Sequence, residues 1–229
     1  STYKNDYPTI AIFNSMLLKE YFENNHYHFA HSFAFDPVLN DGLRNALEKI
    51  PEQVRKKKQI LVYGRPGTER NAFNLVVAAL KKWVFMQPDI EEWEILSAGE
   101  MHRTVALGNG KELTSVGKLS IEEYANMLEE SYAGISLMCS PHPSYPPLEM
   151  SVFDVKTITN TYANKDLKDF NENIISLDNI SPMNIAKHLV EICKSYQTEV
   201  RHIAANPLYV KNDHVFDFVE DIKKILDEE

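Results

Sequence analysis

Residues 140–149, which read SPHPSYPPLE, have the types and spacing of a ligand-binding turn. They connect an apolar run typical of a strand to the start of a helix at Pro146 and Pro147. The positive end of the helix dipole favours phosphate there, and Glu149, on the first turn, can accept hydrogen bonds from sugar hydroxyls. The segment therefore indicates a nucleotide or nucleotide-sugar site. The alternative is an ordinary strand-to-helix connection in which Glu149 only complements the helix dipole.

Two cations stand directly after glycines at the ends of predicted strands, in the pairs Gly64-Arg65 and Gly117-Lys118. If the strands are parallel, the loops that leave their carboxyl ends emerge along one edge of the sheet, as does the turn at 140–147. Together, Arg65 and Lys118 offer charge-assisted hydrogen bonds for a diphosphate. Either residue alone is more typical of an ordinary surface charge.

Several other nucleotide and metal motifs are missing from the chain. The turn GRPG at 64–67 matches neither G-x-G-x-x-G nor the Walker A sequence, so NAD or ATP binding by those motifs is not supported. No D-x-D sequence is present, which disfavours a metal-bound nucleotide diphosphate, and we expect neither a metal nor another cofactor. His142 suits a ligand or an acid-base group, but a loop histidine without an evident partner is more often structural.

Composition indicates a globular protein with a substantial core. The chain has 229 residues, of which 44% are hydrophobic and 25% charged, so it is longer than an ordinary domain and short for two nucleotide-binding domains. Its net charge of −9 argues against nucleic acid as a partner, because phosphate backbones require concentrated positive charge. The basic run at 55–58 is interpreted as a solvated approach to the next strand.

The cysteines and the hydropathy of the chain indicate its cellular location. Cys139 and Cys193 lie in apolar patterns without metal-ligand spacing, and we expect both to be buried thiols. The sequence contains neither a signal peptide nor an apolar run near the roughly 18 residues of a membrane span, so we expect a cytoplasmic protein. Peripheral association with the inner face of the membrane stays open as a weaker alternative. The chain begins at Ser1, which leaves open whether it is part of a longer protein.

Short apolar runs alternate with stretches of helical periodicity from residue 59 onward, which predicts an α/β fold with a Rossmann-like parallel sheet and helices on both faces. The predicted strands are 60–63, 93–97, 114–116, 134–139, 157–160 and 174–177. The predicted helices are 73–84, one opened by a capping box of Ser120 and Glu123, 148–153, one from Pro182 and a last one from about Val215. Residues 1–45 differ, with a strand at 9–13, a helix at 15–23 and an aromatic stretch at 27–35.

Four segments occur in an order that resembles a known family. They are YGRPGTERNAF, SVGKLSIEEYANML, GISLMCSPHPSYPPLEM and ITNTYANKDL, within about residues 60–196. In this order they are similar to the C-terminal, donor-binding half of GT-B glycosyltransferases, and most of all to bacterial rhamnosyltransferases of the rhamnan-synthesis type. The resemblance implies that residues 46–229 form a nucleotide-sugar-binding, Rossmann-like domain. Residues 1–45 would be a remnant or the end of an N-terminal, acceptor-side domain.

The resemblance also implies roles for individual residues. Arg65 is similar to the cation on the donor diphosphate, Lys118 to a second donor contact, and Glu149 to the residue that binds ribose hydroxyls. Arg70 stands where many relatives have the lysine of an E-K-G motif. Many relatives also have a second glutamate eight positions before the equivalent of Glu149, but this chain has Pro141 there, and no catalytic base is identified. The full set of expected substrate-binding residues is Gly64, Arg65, Arg70, Lys118, Ser144, Tyr145, Pro146 and Glu149.

The activity that the resemblance implies is that of a metal-independent hexosyltransferase. The expected reaction is transfer of rhamnose from dTDP-rhamnose, or of another hexose from a dTDP- or UDP-sugar, to a surface polysaccharide or its lipid-linked precursor. Two alternatives stay open. One is a nucleotide-sugar epimerase of related fold, and the other is a donor-binding module that is inactive without its N-terminal domain.

Overall fold

The computed structural model describes residues 7–228, so the first six residues of the predicted N-terminal segment lie outside the described part. The strands are, in chain order, β1 (Ile10–Phe13), β2 (His31–Ala34), β3 (Gln53–Arg55), β4 (Lys57–Gly64), β5 (Glu94–Gly99), β6 (Val105–Gly108), β7 (Lys111–Gly117), β8 (Ser131–Ile135), β9 (Lys156–Asn160), β10 (Ile174–Leu177) and β11 (Glu199–Arg201). The helices are α1 (Met16–Asn24), α2 (Asp41–Leu47), α3 (Phe73–Trp83), α4 (Ile121–Glu130), α5 (Pro146–Val152), α6 (Pro182–Lys194), α7 (Pro207–Val210) and α8 (Phe218–Glu228).

The central sheet has seven strands in the order β10-β9-β8-β4-β5-β7-β6. All neighbouring pairs are parallel except β6 and β7, which form an antiparallel hairpin. The chain builds the sheet outward from β4 to β5 and β7, then returns to β8 on the other side of β4. This reversal leaves a crevice outside the carboxyl ends of β4 and β8, the position where open α/β sheets bind ligands. The predicted α/β class, with a Rossmann-like parallel sheet, is confirmed.

Helices cover both faces of the sheet, because parallel strands bury both of their faces. Ile60 and Leu61 are neighbours in β4, and both are fully buried, one in each layer. On the side of Ile60, α3 and α6 contribute residues such as Trp83 and Leu189. On the side of Leu61, the layer is formed by α2, α4 and α5, with Leu128 of α4 fully buried. Removing this much apolar surface from water is the main stabilising contribution to the fold.

The strand predicted at 134–139 has the wrong bounds at both ends. β8 spans Ser131–Ile135, and the following apolar residues leave the sheet. The reason lies in their hydrogen bonds. The main-chain N–H of Met138 donates to Oδ1 of Asn160 at 2.7 Å, and that of Cys139 donates to the carbonyl of Arg70 at 2.8 Å. An apolar run in the sequence does not distinguish a buried strand from a buried loop of this kind.

The hairpin of β6 and β7 was not predicted. Its turn consists of Asn109 and Gly110, whose φ angles are both positive, at 51° and 71°. Two such residues in succession are typical of a type I′ turn, for which Asn-Gly is a preferred sequence. The predicted strand at 114–116 is therefore the end of β7, and the strand before it, β6, is an addition to the predicted sheet.

Lys56, in the basic run at 55–58, is buried, which corrects the interpretation of that run as solvated for this one residue. Arg55 and Lys57 are exposed, as interpreted. Its Nζ donates hydrogen bonds to the carbonyl oxygens of Leu128 in α4, at 3.0 Å, and of Phe153 directly after α5, at 2.6 Å. Burial lowers the pKa of Lys56 to about 8. The ammonium group thus connects the carboxyl-terminal ends of two helices in the layer that packs on Leu61.

The N-terminal segment and the last helix are in contact. β1 and β2 pair in parallel on either side of α1 in the chain, and Ser15 is the N-cap of that helix. Phe33 of β2 stacks on Phe218 of α8, with ring centroids 5.5 Å apart. α2 spans the predicted boundary between 1–45 and 46–229, and the position of that boundary stays a prediction.

Outside the central sheet, β3 and β11 form a separate two-stranded antiparallel sheet. Cys193 is buried, as expected, whereas Cys139 is partly exposed, which corrects the prediction for that thiol. None of the helices within residues 7–228 is both long and apolar enough to cross a membrane.

Gly64, the last residue of β4, has no room for a side chain. A Cβ atom there would lie 1.9 Å from Oγ of Ser97 and 3.1 Å from the ring of Phe73. We expect Gly64→Ala to lower the free energy of unfolding by about 1–3 kcal/mol, because an added methyl in a packed site forces its neighbours to move. Urea denaturation measures this change. In a Ser97→Gly background the same substitution should cost less than half as much, and equal costs in both backgrounds would contradict the explanation.

Candidate functional site

A cavity of 810 Å³ opens at the carboxyl ends of β4 and β8, where the strand order reverses. Its walls come from the ends of β4, β5 and β7, from the loop after β8 and from the first turn of α5. Asn14 and Leu18 also line it. The cavity is therefore formed jointly by the edge of the large sheet and by the N-terminal segment, which the sequence patterns did not predict.

Most of the predicted site residues surround this cavity. Gly64 is the exception, because it is buried at the end of β4 against Ser97 and does not line the cavity wall. Its position still determines where the chain turns toward the cavity. The predicted residues that line the wall are Arg65, Arg70, Lys118, Ser144, Tyr145, Pro146 and Glu149.

Three of these residues bring positive charge into the cavity. Arg65 follows β4, Arg70 lies in a 3₁₀ turn at Glu69–Asn71, and Lys118 follows β7. Among residues 7–228, none of the three side chains forms an ion pair. In a chain of net charge −9, three such cations around one cavity are suited to an anionic ligand with several oxygens.

Side chains from outside the cavity fix the loop after β8. The main-chain N–H of Met138 donates to Oδ1 of Asn160 at 2.7 Å, and its carbonyl accepts from Nδ2 of the same residue at 3.2 Å. Nζ of Lys165 donates to that carbonyl at 2.6 Å, and Nδ2 of Asn71 donates to the carbonyl of Leu137 at 3.3 Å. Asn160 is the last residue of β9, and its side chain is used to position the loop.

Lys165 is a functional neighbour that the sequence did not reveal. Its side chain is buried, and burial lowers its pKa to about 8. Its positive charge acts on the ring of His142, as does that of Arg70. No motif or spacing marks this lysine, because its role depends on the position of a loop 27 residues earlier in the chain.

The first turn of α5 differs from the expected anion site. Pro146 and Pro147 have no N–H groups, and the N–H of Glu149 donates to the carbonyl of Tyr145 at 2.9 Å. The N–H of Ser144, at a φ of 70°, donates to a side chain instead. Since α5 also has only seven residues, the expected binding of phosphate by helix amides is not supported. Arg65, Arg70 and Lys118 are therefore the main groups in this cavity that could bind an anion.

Glu149 lies next to two tyrosine hydroxyls. The hydroxyl of Tyr124, in α4, donates to Oε2 of Glu149 at 3.1 Å. Burial raises the pKa of the Glu149 carboxyl to about 7, although the hydrogen bond from Tyr124 acts in the opposite direction. The hydroxyl of Tyr209 is buried without a hydrogen-bond partner among the described residues, and its pKa is raised by burial and by the nearby Glu149. The carboxyl group therefore changes its charge near neutral pH.

The contact of Tyr124 with Glu149 is not evident from the sequence. The 3.6-residue period places Tyr124 on the buried face, but that period does not indicate that its hydroxyl reaches a carboxylate on another helix. Within residues 7–228, no three His, Cys, Asp or Glu side chains are grouped so that they could hold a metal ion. The polar chemistry of the cavity is that of three cations, hydroxyl groups, His142 and the carboxyl groups of Glu100 and Glu149.

Comparison with known proteins gives one family match and one curated relative. The model of the WsaF C-terminal domain matches residues 58–190, which is more than half of the chain and includes every predicted site residue. The O-antigen biosynthesis protein RfbC of Myxococcus xanthus is 35% identical over 127 residues, which are 55% of this chain and 10% of that protein. The chain therefore corresponds to a small part of that relative.

Solved structures share the fold at low sequence identity. HepE of Anabaena, in complex with UDP and glucose, has a TM-score of 0.59 and 10% identity over 83% of this chain and 55% of that one. A glycosyltransferase of Rickettsia africae has a TM-score of 0.57 and 16% identity over 82% of this chain and 53% of that one. A sucrose-phosphate synthase of Thermosynechococcus elongatus has a TM-score of 0.57 and 11% identity, over 96% of this chain and 59% of that one. This chain thus spans little more than half the length of each structure.

The family match covers the strands and loops that form the cavity, from β4 to α6. The structural matches cover more than four fifths of the chain and share its mostly parallel sheet with flanking helices. This chain belongs to the WsaF C-terminal domain family and has the fold of the C-terminal domain of a GT-B glycosyltransferase.

Proposed function

We propose that this chain is the donor-binding domain of a glycosyltransferase and that its cavity binds a nucleoside-diphosphate sugar. The main support is the position of Arg65, Arg70 and Lys118 in one cavity with the carboxyl group of Glu149. A diphosphate requires clustered positive charge, and ribose hydroxyls require an acceptor. The HepE structure, which has a similar fold, contains UDP and glucose.

In this proposal each polar group has a separate part of the donor to bind. Arg65 and Lys118 donate hydrogen bonds to the diphosphate, and Arg70 adds to the positive potential around it. Glu149 accepts hydrogen bonds from the ribose hydroxyls of a UDP-sugar, or from the single 3′-hydroxyl of the deoxyribose in a dTDP-sugar. Tyr124 holds one of the carboxyl oxygens of Glu149 in place. The remaining predicted wall residues, Ser144, Tyr145 and Pro146, shape the turn against which the donor lies.

The same cations assist the transfer step. The glycosidic C–O bond of the donor breaks, and the nucleoside diphosphate leaves with the bonding electrons. The acceptor hydroxyl forms the new C–O bond and loses its proton. Because negative charge grows on the leaving phosphate oxygen, Arg65 and Lys118 interact more strongly with the transition state than with the bound donor. We therefore propose a reaction in which protein cations neutralise the leaving group and no metal is needed.

We propose rhamnose from dTDP-rhamnose as the transferred unit, with a UDP-sugar as the alternative donor. The acceptor would be a surface polysaccharide or its lipid-linked precursor, at the cytoplasmic face of the membrane. The similarity to the Myxococcus O-antigen biosynthesis protein supports a role in polysaccharide assembly.

A second candidate is a donor-binding module that transfers no sugar by itself. The chain spans little more than half the length of the matched structures. Only Asn14 and Leu18 of the N-terminal segment line the cavity. Acceptor recognition would then require residues that this chain does not contain. Donor binding without transfer to any glycan acceptor would favour this candidate.

Nucleotide binding tests the role of the cations directly. We expect dTDP or UDP to raise the melting temperature of the chain, because a ligand that binds the native state stabilises it. Arg65→Ala and Lys118→Ala should each weaken binding of that nucleotide about tenfold in calorimetry, the loss expected for one charge-assisted hydrogen bond. Lys187→Ala is the matched control, since Lys187 is exposed on α6 and does not line the cavity. Binding that is equally tight in all three variants would contradict the proposed site.

The pKa of Glu149 predicts a pH dependence. The ionised carboxylate is a stronger acceptor for a sugar hydroxyl than the protonated acid, and with a pKa of about 7 it is mostly protonated at pH 6 and mostly ionised at pH 8. We expect affinity for dTDP-rhamnose to rise about tenfold between these values, with proton release on binding below pH 7. Calorimetry in buffers of different ionisation enthalpy measures both effects. In Glu149→Gln the rise should disappear, and an unchanged pH profile in that variant would exclude Glu149 as its source.

A further inference from the structure

Glu100 holds both ends of the turn that carries Arg65. This turn is the GRPG segment at 64–67, which begins at the last residue of β4. The main-chain N–H of Glu100 donates to the carbonyl oxygen of Gly64 at 2.9 Å, and Oε2 of its carboxylate accepts from the main-chain N–H of Gly67 at 3.0 Å. Arg65 lies in the chain between these two hydrogen bonds. One residue therefore fixes the main chain on both sides of this cation.

The carboxylate of Glu100 lies close against the turn. A Cβ atom at Gly67 would lie 2.7 Å from Oε1 and 3.1 Å from Oε2 of Glu100, so a side chain there would displace the carboxylate. The aliphatic part of Arg65 passes over the residue before Glu100, since a Cβ atom at Gly99 would lie 3.2 Å from Cγ of Arg65. Residues 99 and 100 thus lie beside both the main chain and the side chain of Arg65.

The loop that bears Glu100 is itself fixed to two strands, because Ser97 belongs to β5 and Ser115 to β7. Oγ of Ser115 accepts from the main-chain N–H of His102 at 3.1 Å, and Nε2 of His102 is bonded to Oγ of Ser97 at 2.8 Å. Nδ1 of the same ring is bonded to the carbonyl oxygen of Arg103 at 2.8 Å, so Nδ1 carries the proton and Nε2 accepts from the Ser97 hydroxyl. A side chain on such a rigid support is suited to positioning another residue.

The negative charge of Glu100 is not itself suited to a diphosphate. The residue lines the cavity together with Arg65 and Lys118, but within residues 7–228 it forms no ion pair. A carboxylate near phosphate oxygens is repelled by them, because like charges interact unfavourably. Any benefit of Glu100 to diphosphate binding therefore comes through its hydrogen bonds to the turn.

We propose that Glu100 is a positioning residue, which holds Arg65 where its guanidinium group reaches the donor diphosphate. This inference rests on the function proposed above, because it takes Arg65 to bind that diphosphate. A cation on a fixed main chain loses less conformational freedom when the ligand binds, so the hydrogen bond between Glu100 and Gly67 adds to the affinity. The role requires an acceptor for the N–H of Gly67 and does not require the charge of the carboxylate.

Substitutions of Glu100 separate the hydrogen bond from the charge. We expect Glu100→Ala, which removes the acceptor, to weaken binding of dTDP about fivefold in calorimetry. Glu100→Gln keeps an acceptor for the N–H of Gly67 and removes a negative charge near the anion, so it should bind dTDP at least as tightly as the unsubstituted chain. Glu94→Ala is the matched control, since Glu94 is exposed at the other end of β5 and does not line the cavity. Equal losses in the Ala and Gln variants would overturn the proposal.

Gly67→Ala tests the same contact from the side of the turn. The added methyl group would displace the carboxylate of Glu100, so binding of dTDP should weaken by about the same factor as in Glu100→Ala. In the chain with both substitutions, the loss should not exceed that of either one alone, because both remove a single hydrogen bond. Losses that multiply would contradict this explanation. The melting temperature of each variant without ligand shows that it is folded.

An Arg65→Ala background shows whether Glu100 acts through Arg65. There, Glu100→Ala should change the affinity for dTDP by less than about twofold. A full fivefold loss in that background would mean that Glu100 acts elsewhere in the cavity, and the proposal would be wrong although the donor site would remain. If the unsubstituted chain binds neither dTDP nor UDP, the proposed function is itself wrong, and the role of Glu100 with it. Should the nucleotide screen select UDP, then UDP replaces dTDP in each comparison.

Discussion

Three side-chain hydrogen bonds to the main chain of Met138 hold the loop on which the cavity depends. Asn160 bonds both the N–H and the carbonyl oxygen of this residue, and Lys165 bonds the same carbonyl. The loop leaves a central strand and remains partly buried, so its main-chain polar groups lose the partners that a sheet would supply and need others. Once they are satisfied, the next residue bonds to the main chain of Arg70. One cation and the proline-rich turn are thereby brought to the same side of the sheet.

The sheet and its ligand-binding edge could be predicted because both follow from local patterns and one topological rule. Glycine followed by a cation marks the ends of β4 and β7, at Gly64-Arg65 and Gly117-Lys118. Parallel strands end at one edge, so residues far apart in the chain had to converge. This convergence follows from the strand order and does not depend on side-chain contacts. The Asn-Gly pair at 109–110 was an equally local signal, and it would have predicted the missing hairpin.

What could not be predicted depends on partners that are distant in the sequence. Lys56 and Lys165 have the pattern of surface charges, because lysine is rarely buried, and only the carbonyl groups that surround them explain their positions. Tyr124 has the period of a core residue, and its hydroxyl meets Glu149 only because α4 and α5 pack in the same layer. Helix amides at α5 were expected to bind phosphate, but the two prolines that begin the helix have no N–H groups to donate.

Lys56 also limits how the two helices beside the cavity can move. α4 bears Tyr124 and α5 bears Glu149. Near the opposite ends of these helices, the ammonium group of Lys56 donates hydrogen bonds to the carbonyl oxygens of Leu128 in α4 and of Phe153 directly after α5. A shift of either helix along its axis would break a buried, charge-assisted hydrogen bond at one end and separate the hydroxyl from the carboxylate at the other. The hydrogen bonds of Lys56 and the hydrogen bond between Tyr124 and Glu149 thus restrict the movement of α4 relative to α5. We therefore expect the carboxyl group to move little when a ligand binds, so that little free energy is spent on rearranging it.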